Sequence, residues 1–174
     1  MEKEKNRQDK RLWAAAAILL AALGLLFGSW GLHQRKTVLR LDRLAEYLLR
    51  SPVYSEGMQA LEENEILSRY PGIMREDFTS CCVYAAGDGT AREFALFQAK
   101  DIQAAENMMT ALSLYCHECE KLLQLSDPQE QQRMRGYQIR RTRTYVLLVV
   151  SDPQGTGGQL LTDFFRQSGY DWRN

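Results

Sequence analysis

An uncharged stretch near the start of this 174-residue chain constrains its architecture more than any other feature. It runs from Leu12 to Leu32 and reads LWAAAAILLAALGLLFGSWGL. A membrane-spanning helix needs about 20 apolar residues, and indole rings favour the water–lipid interface, where Trp13 and Trp30 would lie. The stretch therefore predicts an uncleaved, single-pass signal anchor at 12–32 that contacts membrane lipid.

The two alternatives to an anchor are a cleaved signal peptide and a buried core helix. A signal peptide has an apolar region of about 7–15 residues and a small-residue cleavage site, and the sequence GSWGLHQ offers no good site. A lipoprotein signal needs a cysteine directly after the apolar run, whereas the first cysteine here is Cys81. A surface-packed core helix would carry a polar stripe, and the stretch has none.

Gly24 and Gly28 give the predicted anchor a Gly-x-x-x-Gly spacing. Because this spacing lets two membrane helices approach closely, it favours a homodimer through that helix face. The alternative interpretation is that glycine is simply frequent in membrane helices.

Charge is unevenly spread along the chain, although the formal net charge is +0. A basic tail at 1–11 carries five Lys/Arg, and residues 51–174 carry twelve Lys/Arg against seventeen Asp/Glu. An acidic domain behind a basic neck fits a protein at an anionic membrane surface and argues against nucleic-acid binding, which needs a basic domain. Lys/Arg flank 12–32 almost equally, so charge leaves the topology open. The short tail favours a position outside the cytoplasm for 33–174.

Apolar periodicity after the anchor predicts an α+β domain with a mostly antiparallel, four-stranded sheet. The expected order is helix-helix-strand-strand-helix-strand-strand-helix. A juxtamembrane helix lies within 33–56, the domain spans 57–168, and a tail follows at 169–174. The predicted elements of the domain are a helix at 57–69, strands at 78–86 and 91–99, a helix from Asp101 to about Leu125, a loop at 126–136, strands at 137–141 and 144–152, and a helix at 158–168.

The stretch YCHECEK, which begins at Tyr115, has the most reactive composition in the chain. Helical spacing places Cys116 and Cys119 on the apolar stripe of the long helix, where free cysteine behaves as a small hydrophobe. His117 falls on a polar face about 100° away, so a single metal ion cannot easily gather all three side chains. We therefore favour core packing, with a redox or metal site as the alternative.

Cys81 and Cys82 lie in the first predicted strand of the sheet. Strand alternation sends their side chains to opposite faces, so at most one of them readily approaches the long helix. Because a location outside the cytoplasm permits disulfides, a bond or thiol cluster that joins one of them to Cys116 or Cys119 is a further expectation.

Five arginines within eleven residues form a second candidate site. They are Arg133, Arg135, Arg140, Arg141 and Arg143. Guanidinium groups bind phosphate well, so this cluster would suit lipid headgroups or an anionic wall polymer. The alternative, which we favour, is a solvated hairpin edge that its charge protects from aggregation.

The sequence predicts no catalytic residues, no cofactor and no metal site. The chain has only two histidines, His33 and His117, and its GTGG at 155–158 lacks the Gly-Lys-Ser/Thr ending of a phosphate-binding loop. Glu62 and Glu63 are adjacent carboxylates on an exposed-looking helix, and nothing marks them as an acid–base pair.

Three motifs between Tyr70 and Phe165 carry a family resemblance. They are REFALFQAKD at 92–101, AENMMTAL at 105–112 and TYVLLVVSD at 144–152. In these motifs the chain resembles a family of unknown function from Gram-positive bacteria, the DUF-4358 type. Its members look like secreted lipoproteins or membrane-anchored proteins, which implies an extracytoplasmic domain. The family has no established activity, so the resemblance implies no functional residues.

These observations predict a non-enzymatic, membrane-anchored protein whose extracytoplasmic domain acts as a binding or interaction module at the cell envelope. The expected partner is an envelope protein or an anionic polymer. The alternatives are a thiol- or metal-dependent protein that uses Cys116 and Cys119, and a cytoplasm-facing membrane adaptor.

Overall fold

The structure, a computed structural model, describes residues 38–170 of the chain. The helices are α1 (Leu41–Leu49), α2 (Glu63–Arg69), α3 (Ile102–Ser126), α4 (Pro128–Arg135) and α5 (Thr156–Ser168). The strands are β1 (Met58–Ala60), β2 (Phe78–Ala86), β3 (Glu93–Ala99), β4 (Gln138–Thr142) and β5 (Tyr145–Val150). They form one antiparallel sheet in the order β1-β2-β3-β5-β4. The described part of the chain is therefore an α+β fold.

The central strands β3 and β5 are buried on both faces of the sheet. All six residues of β5 are buried, and so are all residues of β3 except Gln98. Alternate side chains of β3 point to opposite sides, so that Phe97 and Phe94 belong to two separate apolar clusters. These strands read as nearly continuous apolar runs because helices cover the sheet on both sides.

The two sides of the sheet are covered by different helices. On the side called here the α3 face, α3 packs with contributions such as Ile66 from α2 and Met134 from α4. On the opposite side, the α1/α5 face, Leu48 of α1 and Phe165 of α5 cover the strands. The segment predicted as a juxtamembrane helix thus supplies α1, which packs into the core.

An Asp residue caps each of the two helices that lie between β3 and β4 in the chain. The Asp101 carboxylate accepts a hydrogen bond of 2.7 Å from the Ala104 amide and so caps the start of α3. Asp127 caps α4 in the same way, accepting from the amides of Gln129 and Glu130 at 3.0 and 3.1 Å, and Pro128 occupies the first helical turn. The predicted loop at 126–136 is wrong because Asp-Pro not only ends one helix but also starts the next.

The predicted helix at 57–69 is wrong over its first residues. Met58–Ala60 pair with Tyr84–Ala86 as the edge strand β1, and the helix begins only at Glu63. There the Glu62 amide donates to the Glu65 carboxylate at 2.7 Å, which satisfies one of the free amides at the start of the helix. Three residues are too few for apolar periodicity to tell a strand from a helix.

The predicted architecture as a whole also needs correction. The sheet has five strands, not four. Within residues 38–170, no helix is long and apolar enough to cross a membrane, in conflict with the single-pass transmembrane architecture expected from the sequence. The stretch at 12–32 on which that expectation rested, with Gly24 and Gly28, lies outside the described residues, as does the basic tail at 1–11.

Candidate functional site

A fully buried carboxylate lies at the start of the central strand β3, on the α3 face. Arg69, the last residue of α2, donates to the Glu93 Oε2 atom from Nε at 2.8 Å and from Nη2 at 2.5 Å. The Tyr115 hydroxyl of α3 donates to the same oxygen at 3.0 Å. The Glu93 side chain is 0% exposed, whereas that of Arg69 is 35% exposed. One carboxylate thus ties two helices to the sheet.

Aromatic rings enclose this ion pair. Tyr70 meets Tyr115 edge to face at 4.8 Å between ring centroids, and the Arg69 guanidinium lies 5.6 Å from the Tyr115 centroid. We call Arg69, Tyr70, Glu93 and Tyr115 the Glu93 cluster. Edge-to-face rings and a cation over a ring are both favourable contacts, so the aromatic residues help to hold the arginine in place.

Two polar atoms of the Glu93 cluster lack a hydrogen-bond partner among the described residues. They are the Oε1 atom of Glu93 and the hydroxyl of Tyr70, both buried. Burial raises the pKa of Glu93, and Arg69 and Tyr115 oppose this shift. Burial also raises the pKa of Tyr70. All donors therefore converge on Oε2, and Oε1 is the oxygen at which a proton displaces no existing hydrogen bond.

The Glu93 cluster is poorly placed for chemistry on a substrate. Glu93 and Tyr70 are both 0% exposed, so a substrate cannot reach the carboxylate without rearrangement of the helices. A general acid or base has to come within hydrogen-bonding distance of the group that it protonates or deprotonates. The contacts instead fix the positions of α2 and α3 on the sheet.

The four cysteines are free thiols in this structure. Cys116 is fully buried on the α3 face, and Cys119 and Cys81 pack partly buried against the same cluster. Cys82 packs on the α1/α5 face, as strand alternation predicted. Burial raises the pKa of all four thiols, which lowers their reactivity. Residues 38–170 hold no group of three or more His, Cys, Asp or Glu placed to bind a metal ion.

The arginines predicted as an anion-contacting patch are separated in the fold. Arg133 of α4 pairs with Glu130 at 2.9 Å and donates to the Ser151 carbonyl, and Arg135 pairs with Glu120 at 2.6 Å. Arg140 donates to Thr162 Oγ1 at 2.8 Å on the α5 side of the sheet. These three side chains therefore support the packing of α4 and β4. Anion binding by the whole set remains a prediction.

The other two arginines of that set lie together at the hairpin between β4 and β5. Arg141 is 3.8 Å from Glu106 of α3, an ion pair that is open to solvent. Arg143 occupies the turn with a φ of 53°, and the structure gives it no ion pair with any described residue. Both residues are exposed, and of these two only Arg141 has a carboxylate of the described residues within 4 Å.

An open groove runs between the outer side of α3 and β4. It has a volume of about 630 Å³, within the size range of ligand-binding pockets. Its lining residues are Met109, Thr110, Ser113, Leu114, His117, Tyr137 and Ile139. Leu114 is 57% exposed and Met109 is 37% exposed, so these two side chains give the groove accessible apolar surface. We call this the α3–β4 groove.

Sequence reasoning placed some of these residues and missed others. It placed His117 correctly on the exposed side of α3 but did not connect it with Tyr137 and Ile139 across the groove. It overlooked Tyr115 and Glu93, whose contact joins positions 22 residues apart. A lone glutamate opening an apolar strand was the available signal for a buried, paired charge.

Comparisons with protein families, with curated proteins and with solved structures find no match for this chain. The resemblance to the DUF-4358 type therefore stays a prediction from its three motifs.

Proposed function

We propose that this domain is a non-catalytic interaction module that binds a protein partner through the α3–β4 groove. The observation that carries this proposal is an accessible apolar surface, centred on Leu114, Tyr137 and Ile139, beside an edge strand. Apolar lining with a few polar side chains is typical of recognition sites, because apolar contact supplies affinity and polar groups fix orientation.

The other clusters of the described residues favour binding over catalysis. The carboxylate of Glu93 is enclosed and paired, and burial raises the pKa of the Cys116 thiol, so neither group is set up as an accessible acid, base or nucleophile. A second groove, of about 530 Å³, lies between α1 and Phe164. Its charged residues include the Arg40–Asp42 pair at 2.6 Å, so that surface is less suited to apolar contact.

A peptide selection with a pair of leucine variants tests the proposal. Peptides are selected by phage display on the full-length chain, and their affinities are measured for wild type, Leu114→Asp and Leu122→Asp. Both leucines are exposed on α3, but only Leu114 lines the groove. A carboxylate inside an apolar contact loses hydration, so we expect Leu114→Asp to weaken binding about tenfold or more. We expect Leu122→Asp to bind within about twofold of wild type.

Two results would contradict the proposal. Equal binding of the selected peptides to Leu114→Asp and to wild type would place recognition elsewhere on the chain. Cleavage or modification of a bound peptide, detected by mass spectrometry after incubation, would make the protein an enzyme. Circular dichroism of both variants controls for folding.

A further inference from the structure

The groove lies beside the edge strand β4, whose second edge pairs with no described strand. β4 is the last strand of the sheet, and β5 is its only partner among the described residues. In an antiparallel pair, every second residue directs its backbone N–H and C=O groups away from the partner strand. An exposed strand edge of this kind is a template on which another extended chain can pair.

Side chains along β4 alternate between two different surroundings. Gln138 and Arg140 face α5, where they contact Gly155 at 3.5 Å and Thr162 at 2.8 Å. Tyr137 and Ile139 line the groove, and Arg141 of the same row approaches Glu106 of α3. An added strand would therefore meet, on the groove side, an aromatic ring, an aliphatic side chain and then a cation.

The charge of the hairpin selects among the chains that could add to this edge. Arg141 and Arg143 lie at one end of the groove, and among the described residues only Arg141 of the two has a carboxylate nearby, at 3.8 Å. A carboxylate on the incoming strand would complement both guanidinium groups. A second copy of β4 would bring two further arginines and no carboxylate, which disfavours edge-to-edge pairing of two copies.

We propose that the partner segment is an extended peptide with alternating apolar residues followed or preceded by an acidic residue. It adds as a further strand to the edge of β4 that pairs with no described strand, through the backbone groups of Ile139 and Arg141. The inference rests on the proposed function and names the ligand class of the same groove. Backbone hydrogen bonds to β4 supply part of the affinity, apolar side chains fill the groove, and the acidic side chain pairs with Arg141 and Arg143.

The probe is a fluorescein-labelled synthetic peptide with two valines and one aspartate at its groove-facing positions and threonines between them. Fluorescence polarisation measures its binding to the full-length chain. Peptides with the aspartate at either end distinguish antiparallel from parallel addition. Because the N–H groups of alternate residues point to opposite edges of a strand, N-methylation of the valines and N-methylation of the threonines block different edges.

We expect one methylated peptide to bind about tenfold or more weakly, and the other to bind within about twofold of the parent. Arg141→Ala combined with Arg143→Ala should weaken binding about two- to fivefold and flatten its salt dependence. Arg166→Ala is the matched control, since Arg166 is an exposed arginine on α5, away from the groove. Amide exchange at alternate residues of β4 should slow in the complex.

Each negative result overturns a distinct part of the proposal: the strand addition, the groove or the ligand class. Equal binding of both methylated peptides, with loss in Leu114→Asp, overturns strand addition but keeps the groove as a binding site. Binding that Leu114→Asp leaves unchanged overturns the groove itself. Failure of every probe to bind overturns this ligand class, and the phage selection then judges the proposed function separately. Self-association by sedimentation that protects β4 would assign the edge to a second copy of the chain.

Discussion

The two faces of the sheet differ most clearly at two adjacent residues of β3. Glu93 and Phe94 are both 0% exposed, but they point to opposite faces and are held by different forces. On the α1/α5 face, Phe94 lies between the rings of Tyr54 and Tyr84, at centroid distances of 5.3 and 5.1 Å. On the α3 face, Glu93 is held by Arg69 and the Tyr115 hydroxyl.

Equal burial therefore does not mean an equal contribution to the fold. Apolar contact depends on filled volume, is nearly insensitive to pH and tolerates some repacking. A buried ion pair depends on direction and protonation, and its attraction has to offset the cost of removing both charges from water. We expect apolar packing to supply most of the stability on both faces, and the Glu93 cluster to fix where α2 and α3 sit.

The largest effect on stability is expected from a substitution on the α1/α5 face. Phe94→Ala removes a buried ring between two other aromatic residues and should lower the free energy of unfolding by about 4 kcal/mol. Because Phe94 carries no charge, the loss should be the same at pH 5 and at pH 7.5. Urea unfolding monitored by circular dichroism at both pH values measures it. A loss that changes strongly with pH would break the proposed division between the two faces.

A smaller effect with a pH dependence is expected on the α3 face. Arg69→Ala leaves Glu93 buried without a cation and should cost about 3 kcal/mol near neutral pH. The loss should shrink in acid, because protonation of Glu93 removes the unpaired charge. The same urea titrations measure this change at each pH.

Arg75→Ala is the matched control for that measurement. Arg75 also pairs with a glutamate, Glu63, at 2.7 Å, but both side chains are about half exposed. Exposed pairs contribute about 0–1 kcal/mol, and Arg75 also donates to the Phe78 carbonyl at 3.0 Å, so this variant should lose only about 1 kcal/mol. Equal losses in the two variants would mean that the Arg69 pair, too, behaves as a surface pair.

The sequence predicts the apolar contacts of this fold better than its polar contacts. The series that includes Met109, Leu112, Cys116 and Cys119 marks the stripe of α3 from spacing alone, since helical periodicity is a local property. Of these residues, Leu112 and Cys116 are fully buried, whereas Met109 lies at the edge of the stripe and is 37% exposed. The prediction of a loop at 126–136 failed for a different reason. Asp127 and Pro128 start α4, but the same two residues also signal the end of α3.

The Glu93 cluster could not be predicted because it joins residues that no periodicity connects. Arg69 ends one helix, Glu93 opens a strand 24 positions later, and Tyr115 follows 22 positions after that. Only the packing of α2 and α3 on the sheet brings them together. The YCHECEK stretch illustrates the result. Cys116 and Cys119 pack on the α3 face, as their spacing indicated, whereas the hydrogen bond from Tyr115 to the buried Glu93 had no signal in the spacing.

The α3–β4 groove was missed for a related reason. His117 and Ser113 were assigned to the exposed side of α3, and Ile139 to a strand, each from local pattern. The groove exists only because β4 is an edge strand, and strand order depends on long-range pairing. The arginine cluster was grouped by closeness in sequence, yet Arg140 and Arg141 face opposite sides of the sheet.

The smallest expected effect within the Glu93 cluster isolates the charge of Glu93 from its shape. Glu93→Gln keeps the size of the side chain and an oxygen for Arg69 and Tyr115, so near neutral pH it should cost only about 1 kcal/mol. This variant is informative because its stability relative to wild type should change with pH. Burial raises the pKa of Glu93 in the folded state above its ordinary value of 4.5, so the folded chain keeps this proton to higher pH than the unfolded chain.

The sign of the pH effect follows from the difference in bound protons. Where the folded state binds more protons than the unfolded state, the free energy of unfolding falls as pH rises. The stability of wild type relative to Glu93→Gln should therefore decrease as pH rises from about 4.5 towards the raised pKa of Glu93. Urea titrations of both proteins between pH 4 and about 8 measure this difference, and all other titrating groups cancel in it. A relative stability that rises with pH would mean that the attraction of Arg69 and Tyr115 for the charged carboxylate outweighs the cost of its burial.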